Sequence, residues 1–248
     1  MTTRVWGVSR LRDLRTCPGW YVAKYETKKW VETPSPAMER GSKIHSQLEE
    51  AIKYGVVLPK EMDHVAPFVY GLCDAKKAGA MVEAELKFGL DTDGNPVDFF
   101  RAPNLRARLA LDVGANMFNR ALAVDWKTGR WKPEHNEDAL FYGAGLCMLL
   151  KPASCIAQYI YVDNMEQSFD IEIEKPDDII DVYLAKFDAA DDYLDSVNKS
   201  GVIRLIDPPL NPGTQCKWCG NVECDNNQND QAKAISFATK ANKAQLFQ

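Results

Sequence analysis

The sequence has 248 residues, 46% of them hydrophobic and 26% charged, enough apolar chain for one substantial core with appendages. It holds no apolar run of about 18 residues and no basic, apolar and small-residue order over residues 1–10, which argues against a membrane-spanning helix or a secretory leader and leads to the expectation of a cytoplasmic protein. A net charge of −5 argues against a uniformly basic nucleic-acid binder, and in a reducing compartment the seven cysteines are expected as thiols or metal ligands rather than disulfides.

Ser9 is placed to cap a predicted helix that runs to about Lys24. Ile44, Leu48, Ala51 and Ile52 fall at helical spacing and predict a second helix over 38–54, and a third spans 65–76. From Met81 the period changes to two, so 82–90, 105–115 and 121–127 read as strands. Residues 138–150 read as a helix, 155–163 and 168–174 as strands, and 177–197 as a long amphipathic helix behind Pro176. Residues 225–248 are rich in Asn, Gln, Lys and Ala and read as a loosely held tail. This order predicts an α/β fold, a mixed β-sheet flanked by helices. The expected organisation is one domain over 1–225, with a helical part at about 1–80, a sheet core at about 81–198 and a cysteine-rich segment at about 208–225, followed by a polar tail over 226–248.

Two neighbouring strands carry the densest chemistry. Leu109, Leu111 and Val113 point to one face of the first, and Arg108, Ala110, Asp112 and Gly114 to the other. In the next strand Leu122, Val124 and Trp126 form the apolar face, opposite Ala121, Ala123, Asp125 and Lys127. A two-residue loop at Phe118-Asn119 would pair Met117 with Arg120 and set Asp112 opposite Asp125, with Cβ atoms about 5 Å apart. Phe-Asn is not a favoured turn pair, which leaves that register open by a residue or more. Directly opposed carboxylates destabilise a sheet, so a divalent cation with Lys127 beside it would balance them. The bland alternative is an edge hairpin with a surface ion pair.

Asp112, followed by Asp125-Trp126-Lys127-Thr128-Gly129 at the end of an apolar strand, resembles the signature of PD-(D/E)XK nucleases in their RecB-type form. Gly41-Ser42-Lys43-Ile44-His45 with Leu48-Glu49 resembles that family's helix bearing a metal-binding histidine, and residues 9–25 with Cys17-Pro18 resemble its N-terminal helix. The resemblance covers about residues 9–225. It implies a restriction-endonuclease-like core and phosphodiester hydrolysis with Mg2+ or Mn2+ held by His45, Asp112, Asp125 and the Trp126 carbonyl. Lys127 would then position the attacking water, and Glu85 on the preceding strand would support the site as a further catalytic carboxylate. On its own His45 also reads as a core histidine, since it shares a helical face with Leu48 and Ile52. Gly41 costs that helix up to about 1 kcal/mol relative to alanine, which makes sense if a backbone or ligand approaches closely there. The family usually has Gln four residues before a Tyr on the next helix, both holding substrate; here Tyr142 is present and Asp138 takes the earlier place. Tyr142 and Arg130 are the DNA-binding candidates, with a core aromatic as the alternative for Tyr142.

Cys216, Cys219 and Cys224 follow a CxxCx4C spacing, short loops of a kind that suit a metal or a cluster. A fourth thiolate is needed. The resemblance implies Cys17, because RecB-type nucleases with an iron–sulfur cluster, including the CRISPR spacer-acquisition nuclease and the AddB subunit, take one cysteine from the N-terminal helix and three from near the C-terminus. It implies a 4Fe-4S cluster as a structural clasp; Zn2+ on the same cysteines and unliganded thiols are the alternatives. By analogy with a cross-link closing a loop of about 200 residues, the clasp would remove roughly 5 kcal/mol of unfolded-state entropy. Cys73, Cys147 and Cys155 lie in apolar runs and read as buried free thiols.

The expected partner is DNA, single-stranded or with free ends. Residues 1–45 hold nine Lys or Arg against four Asp or Glu, residues 101–132 hold seven against two, and 163–195 hold twelve acidic against two basic, so basic segments can face a polyanion while the acidity lies elsewhere. Trp126, Trp131 and Tyr142 offer stacking surfaces, or else core aromatics. With no phosphate-loop motif, the leading reading is a stand-alone exonuclease acting on delivered DNA, of the kind found in phage or prokaryotic repair and recombination. The alternatives are an endonuclease for flapped or branched DNA, and a binding module that has lost catalysis. Gln245-Leu246-Phe247 loosely resembles clamp-binding peptides, which adds replication or recombination proteins as possible partners.

Overall fold

Eleven residues from Met81 to Asp91 form β1, the first long strand of a six-stranded sheet in the order β2-β1-β3-β4-β5-β6. The others are β2 (Pro96–Val97), β3 (Leu105–Met117), β4 (Arg120–Lys127), β5 (Ser154–Tyr161) and β6 (Phe169–Glu172). The computed structural model describes residues 4–199 and 211–245. All neighbouring strands run antiparallel except β4 and β5, which are parallel. A parallel pair needs a crossover, and the helix Glu134–Leu150 supplies it. The mixed α/β architecture expected from the alternation of periods is therefore present.

The chain divides into two compact units, Met1–Gly7 with Pro36–Lys186 and Val8–Ser35 with Phe187–Gln248. Its helices in chain order are α1 (Val8–Thr16), α2 (Pro18–Tyr21), α3 (Pro36–Tyr54), α4 (Ala66–Lys77), α5 (Glu134–Leu150), α6 (Pro176–Lys199) and α7 (Asp230–Gln245). None of these, among the described residues, is long and apolar enough to cross a membrane.

The first unit contains the whole sheet. Ile44, Leu48, Ala51 and Ile52 of α3 and Val69 and Leu72 of α4 are buried in one cluster with Val82, Val113, Ala115, Leu122, Val124 and Trp126 of the strands. Each such aliphatic side chain contributes about 1.5–3 kcal/mol by leaving water. Successive residues of β5 go to opposite faces: Ile156 packs against that cluster, whereas a Cβ at Gly143 of α5 would come within 3.0 Å of Ala157 Cβ. Gly143 is thus a point of close helix-to-sheet approach, and α5 covers the second face. The short β2 went unread in the sequence; it follows a turn in which Asp91 Oδ1 accepts the backbone N–H groups of Asp93 and Asn95 at 2.9 and 2.8 Å.

Two expectations need correction, both in the second unit. The helix expected over 9–24 is broken, because Cys17 precedes Pro18 and takes an extended conformation (φ −164°, ψ 119°), and after α2 the chain continues as a π-helical turn over Val22–Glu26. The tail expected to be loose forms α7. Its start is capped by Asn229, whose Oδ1 accepts from Ala232 N–H at 3.1 Å, and Asn227 Nδ2 donates to Cys219 O and Asn221 O at 2.9 and 2.8 Å. Asn residues of the stretch that read as unstructured thus supply one helix cap and hydrogen bonds within the preceding loop. The candidate clamp-binding residues Leu246 and Phe247 lie outside the described residues.

Candidate metal centre and cysteine cluster

Phe118 and Asn119 join β3 to β4 with φ of 52° and 67°, two consecutive left-handed residues whose twist suits a two-residue hairpin. That turn sets Met117 opposite Arg120 and carries the ladder to Val113 opposite Val124, the register expected from counting back from the loop. The ladder ends there. Asp112 and Asp125 come next in the same register, and two like charges directly opposed are what a sheet tolerates least. Asp112 turns its side chain into the opening, where Oδ2 accepts the Trp126 backbone N–H at 2.7 Å. A carboxylate takes the place of a strand partner, and the strands part at the site.

Asp125 is nearly enclosed, its side chain 14% exposed, and its buried Oδ2 faces Lys127 Nζ as an ion pair without hydrogen-bond geometry. Burial pushes its carboxyl up to about 6; the Lys127 charge opposes the shift and the Asp112 charge adds to it. From the facing helix α3, His45 Nδ1 stands 3.1 Å from Asp112 Oδ1, with the imidazole side chain 34% exposed. That hydrogen bond raises the His45 pKa against the opposing effect of burial, helped by the charges of Asp112 and Asp125. One turn earlier a Cβ at Gly41 would lie 3.1 Å from Thr128 Oγ1, so the close approach that a helix-interior glycine suggested comes from the Asp-Trp-Lys-Thr-Gly segment itself. Arg40 adds a bidentate pair to Asp163 at 2.8 and 2.5 Å. These contacts place His45 over the opening.

His45, Asp112, Asp125 and Lys127 are therefore brought together. Trp126 is buried, its ring edge-on to Phe68 at 5.7 Å, so it is a core residue that offers the site its backbone. Glu85 sits between the pairs Ala84–Val113 and Leu86–Leu111, level with Asp112, but in a left-handed conformation (φ 58°), and its carboxylate pairs with Lys87 Nζ at 2.9 Å. Tyr142 is half-buried on α5 with its ring 6.2 Å from that of Phe141. Arg130 is exposed beyond β4, next to Trp131, which is 44% exposed.

Three neighbours went unread in the sequence. The parallel register sets Tyr159 beside Asp125 and Tyr161 beside Lys127. Lys127 Nζ lies 4.9 Å from the Tyr159 ring centroid, and His135 Nδ1 contacts the Tyr161 hydroxyl. Burial pushes Tyr161 up to about 12, the Asp125 charge contributing. Tyr159 and Tyr161 have the right alternation to share a face, but only the β4–β5 pairing shows which face.

In the second unit, Cys17 at the start of α2, Cys216 in the 3-10 turn Thr214–Trp218, Cys219 and Cys224 line one cavity of about 20 Å³. Asn211 N–H and Gly213 N–H point at Cys17 Sγ and Cys216 Sγ, each at 3.5 Å. Burial pushes the Cys219 thiol up to about 11 and also raises Cys224, and the charges of the other cluster cysteines add to both. The thiols that sequence spacing and resemblance joined are thus within electrostatic reach of one another. Trp20 is in the same wall, and its indole N–H is buried without a hydrogen-bond partner.

Among the described residues, no group of three or more His, Cys, Asp or Glu side chains is arrayed around a common point as ligands would be. At the strand opening the donors engage each other, Trp126 N–H and Lys127 instead. No family model matches the chain, and no curated protein sequence does. Solved structures do match it. One of them, described as "Crystal structure of SSO0001", is 16% identical, with a TM-score of 0.42 over 88% of this chain and 85% of that one, a likeness too slight to carry an argument.

Proposed function

We propose that the chain is a metal-dependent DNA exonuclease of the PD-(D/E)XK kind, with Mg2+ or Mn2+ at the β3–β4 opening and a 4Fe-4S cluster on Cys17, Cys216, Cys219 and Cys224. The observation that carries this reading is the convergence of His45, Asp112, Asp125 and Lys127 where the β3–β4 ladder stops. The donor chemistry suits a hard divalent cation: two carboxylates, one of them buried with an oxygen that lacks a hydrogen bond, and an imidazole. When bound, such a cation supplies a charge that polarises a phosphodiester and acidifies water.

The chain's own groups do the rest. Trp126 N–H fixes the orientation of Asp112, and Tyr159 lies under the Lys127 ammonium. In this reading Lys127, ion-paired to Asp125 in the structure, would hold the attacking water and meet the charge that develops on the phosphate. Arg130 and Trp131 follow on the same connection, exposed, and offer a phosphate contact and a stacking surface. For the cysteine cluster, the backbone N–H groups aimed at sulfur and the unpartnered Trp20 indole suit the sulfur-rich anion that a cluster presents.

The reading is tested with purified protein, Mn2+ and end-labelled linear DNA beside covalently closed circular single- and double-stranded DNA. The expected result is metal-dependent shortening of linear substrate, circles left intact, and a loss on the order of 100-fold or more in Lys127→Ala. Cleavage of circles would make the protein an endonuclease. Binding of DNA without cleavage of any form would make it a binding module.

A further inference from the structure

One stretch of the sheet beside Asp112 is open to solvent. Leu109 packs against Gly145 of α5, so Arg108 and Ala110 on either side of it turn to the opposite face, the one from which α3 brings His45. Ala110 is exposed there, and so is its β1 partner Lys87, which pairs with Glu85 at 2.9 Å. Arg108 precedes Asp112 on β3 by about 13 Å of strand.

At the Arg108 end, an ordered turn presents an aromatic ring. Asp98 Oδ1 accepts the backbone N–H groups of Phe100 and Arg101 at 2.9 and 2.7 Å, which holds the chain in a turn after β2 and takes up the carboxylate charge. Arg108 donates its Nε–H to Phe99 O at 2.9 Å and lays its guanidinium 5.3 Å from the Phe99 ring centroid. Phe99 stands edge-on to Phe100, their centroids 4.8 Å apart. Phe100 itself is 71% exposed, with Arg101 exposed beside it. The two terminal nitrogens of Arg108 make no hydrogen bond among the described residues. A planar apolar face next to a guanidinium with free donors matches the two things an unpaired nucleotide offers, the face of its base and its phosphate.

We propose that this open face of β3 is a binding site for single-stranded DNA, in which a base stacks on Phe100, its phosphate pairs with Arg108, and the strand runs over Ala110 toward Asp112. At the 3.4 Å rise of a duplex strand, 13 Å is about four nucleotides, and an extended strand needs fewer. A base stacked inside a duplex has no face left for Phe100, so the site selects unpaired strand. The direction toward Asp112 rests on the nuclease reading; binding at Phe100 and Arg108 does not.

The test measures binding apart from cleavage, by fluorescence anisotropy of a labelled oligothymidylate and of a blunt duplex, with the full chain and no divalent metal added. Phe100→Ala should weaken single-strand binding about tenfold and Phe100→Trp should preserve it. Val57→Ala, a control at another exposed apolar side chain (79%), should change nothing. Arg108→Gln should flatten the dependence of log Kd on log salt by about 0.7, the share of one phosphate, a readout that a purely structural role for Arg108 would not move. Single-strand binding indifferent to Phe100→Ala, or no binding by the wild type, would overturn the site, and equal losses for duplex and single strand would overturn the stacked base. Protein that binds through Phe100 but cuts nothing with Mn2+ would support this site and sink the nuclease reading alone.

Discussion

Burial raises the Asp125 carboxyl to about 6 in spite of Lys127, so between about pH 4 and 6 the folded chain keeps a proton there that an unfolded chain has released. Folding therefore loses stability through this group as pH rises across that window. Removing the charge should remove the loss. In metal-free protein, urea denaturation of Asp125→Asn beside the wild type should show the variant gaining relative stability from pH 4.5 to 7.5, on the order of a kcal/mol or more; a difference that stays flat with pH would contradict the burial argument. At this scale the sequence was legible where a turn sufficed, whereas the strict alternation expected along β3 fails, because Val113 is buried with α3 and α4 while Leu109 packs against Gly145 of α5. Counting back from Phe118-Asn119 placed Asp112 against Asp125 and Lys127 beside them. The capture of Trp126 N–H by Asp112, the left-handed Glu85 and the His135–Tyr161 contact were not legible, because each depends on a backbone conformation or a partner strand that no local pattern specifies.

The hairpin that carries both carboxylates closes through a turn its sequence does not favour. Phe118 occupies a left-handed conformation with its side chain 96% exposed, so it bears conformational strain without compensating burial. Asn119 is better suited, and its Oδ1 lies 3.2 Å from Ala153 N–H. Phe118→Asn should raise stability by roughly 0.5–1 kcal/mol in denaturant titrations and leave the ladder from Met117–Arg120 to Val113–Val124 in place. Helices followed the same division between local and non-local signals. The apolar stripe of α3 was read directly from Ile44, Leu48, Ala51 and Ile52. The break at Cys17 was written in the following Pro18 but overridden by helical periodicity on either side, and α7 was missed because its support is polar, in Asn227 and Asn229, whereas composition scores apolar content.

In the whole molecule, Cys17 is separated from Cys216, Cys219 and Cys224 by about 200 residues, yet all four line one cavity within a unit assembled from both ends of the chain. A linear reading expects contiguous domains, and nothing in composition signals that Val8–Ser35 belongs with Phe187–Gln248. The Cys219 thiol is protonated when unliganded, since burial pushes it up to about 11, so loading a cluster there would release a proton. Anaerobically purified protein should contain iron and acid-labile sulfide in equal amounts with broad visible absorption, and Cys17→Ser should lose both and about 2–5 kcal/mol of stability, read as a lower Tm. Colourless protein holding zinc would leave the clasp in place and overturn its identity as a cluster.

The metal at the β3–β4 opening is the proposition on which the hydrolytic reading depends. A crystal of the protein grown with Mn2+ and measured at the manganese absorption edge tests it most directly. The account predicts an anomalous peak bounded by Asp112, Asp125 and His45, within about 2.0–2.6 Å of carboxylate oxygen and beside Lys127. A manganese peak elsewhere in the chain, or none with both carboxylates still held by Trp126 N–H and Lys127, would contradict it.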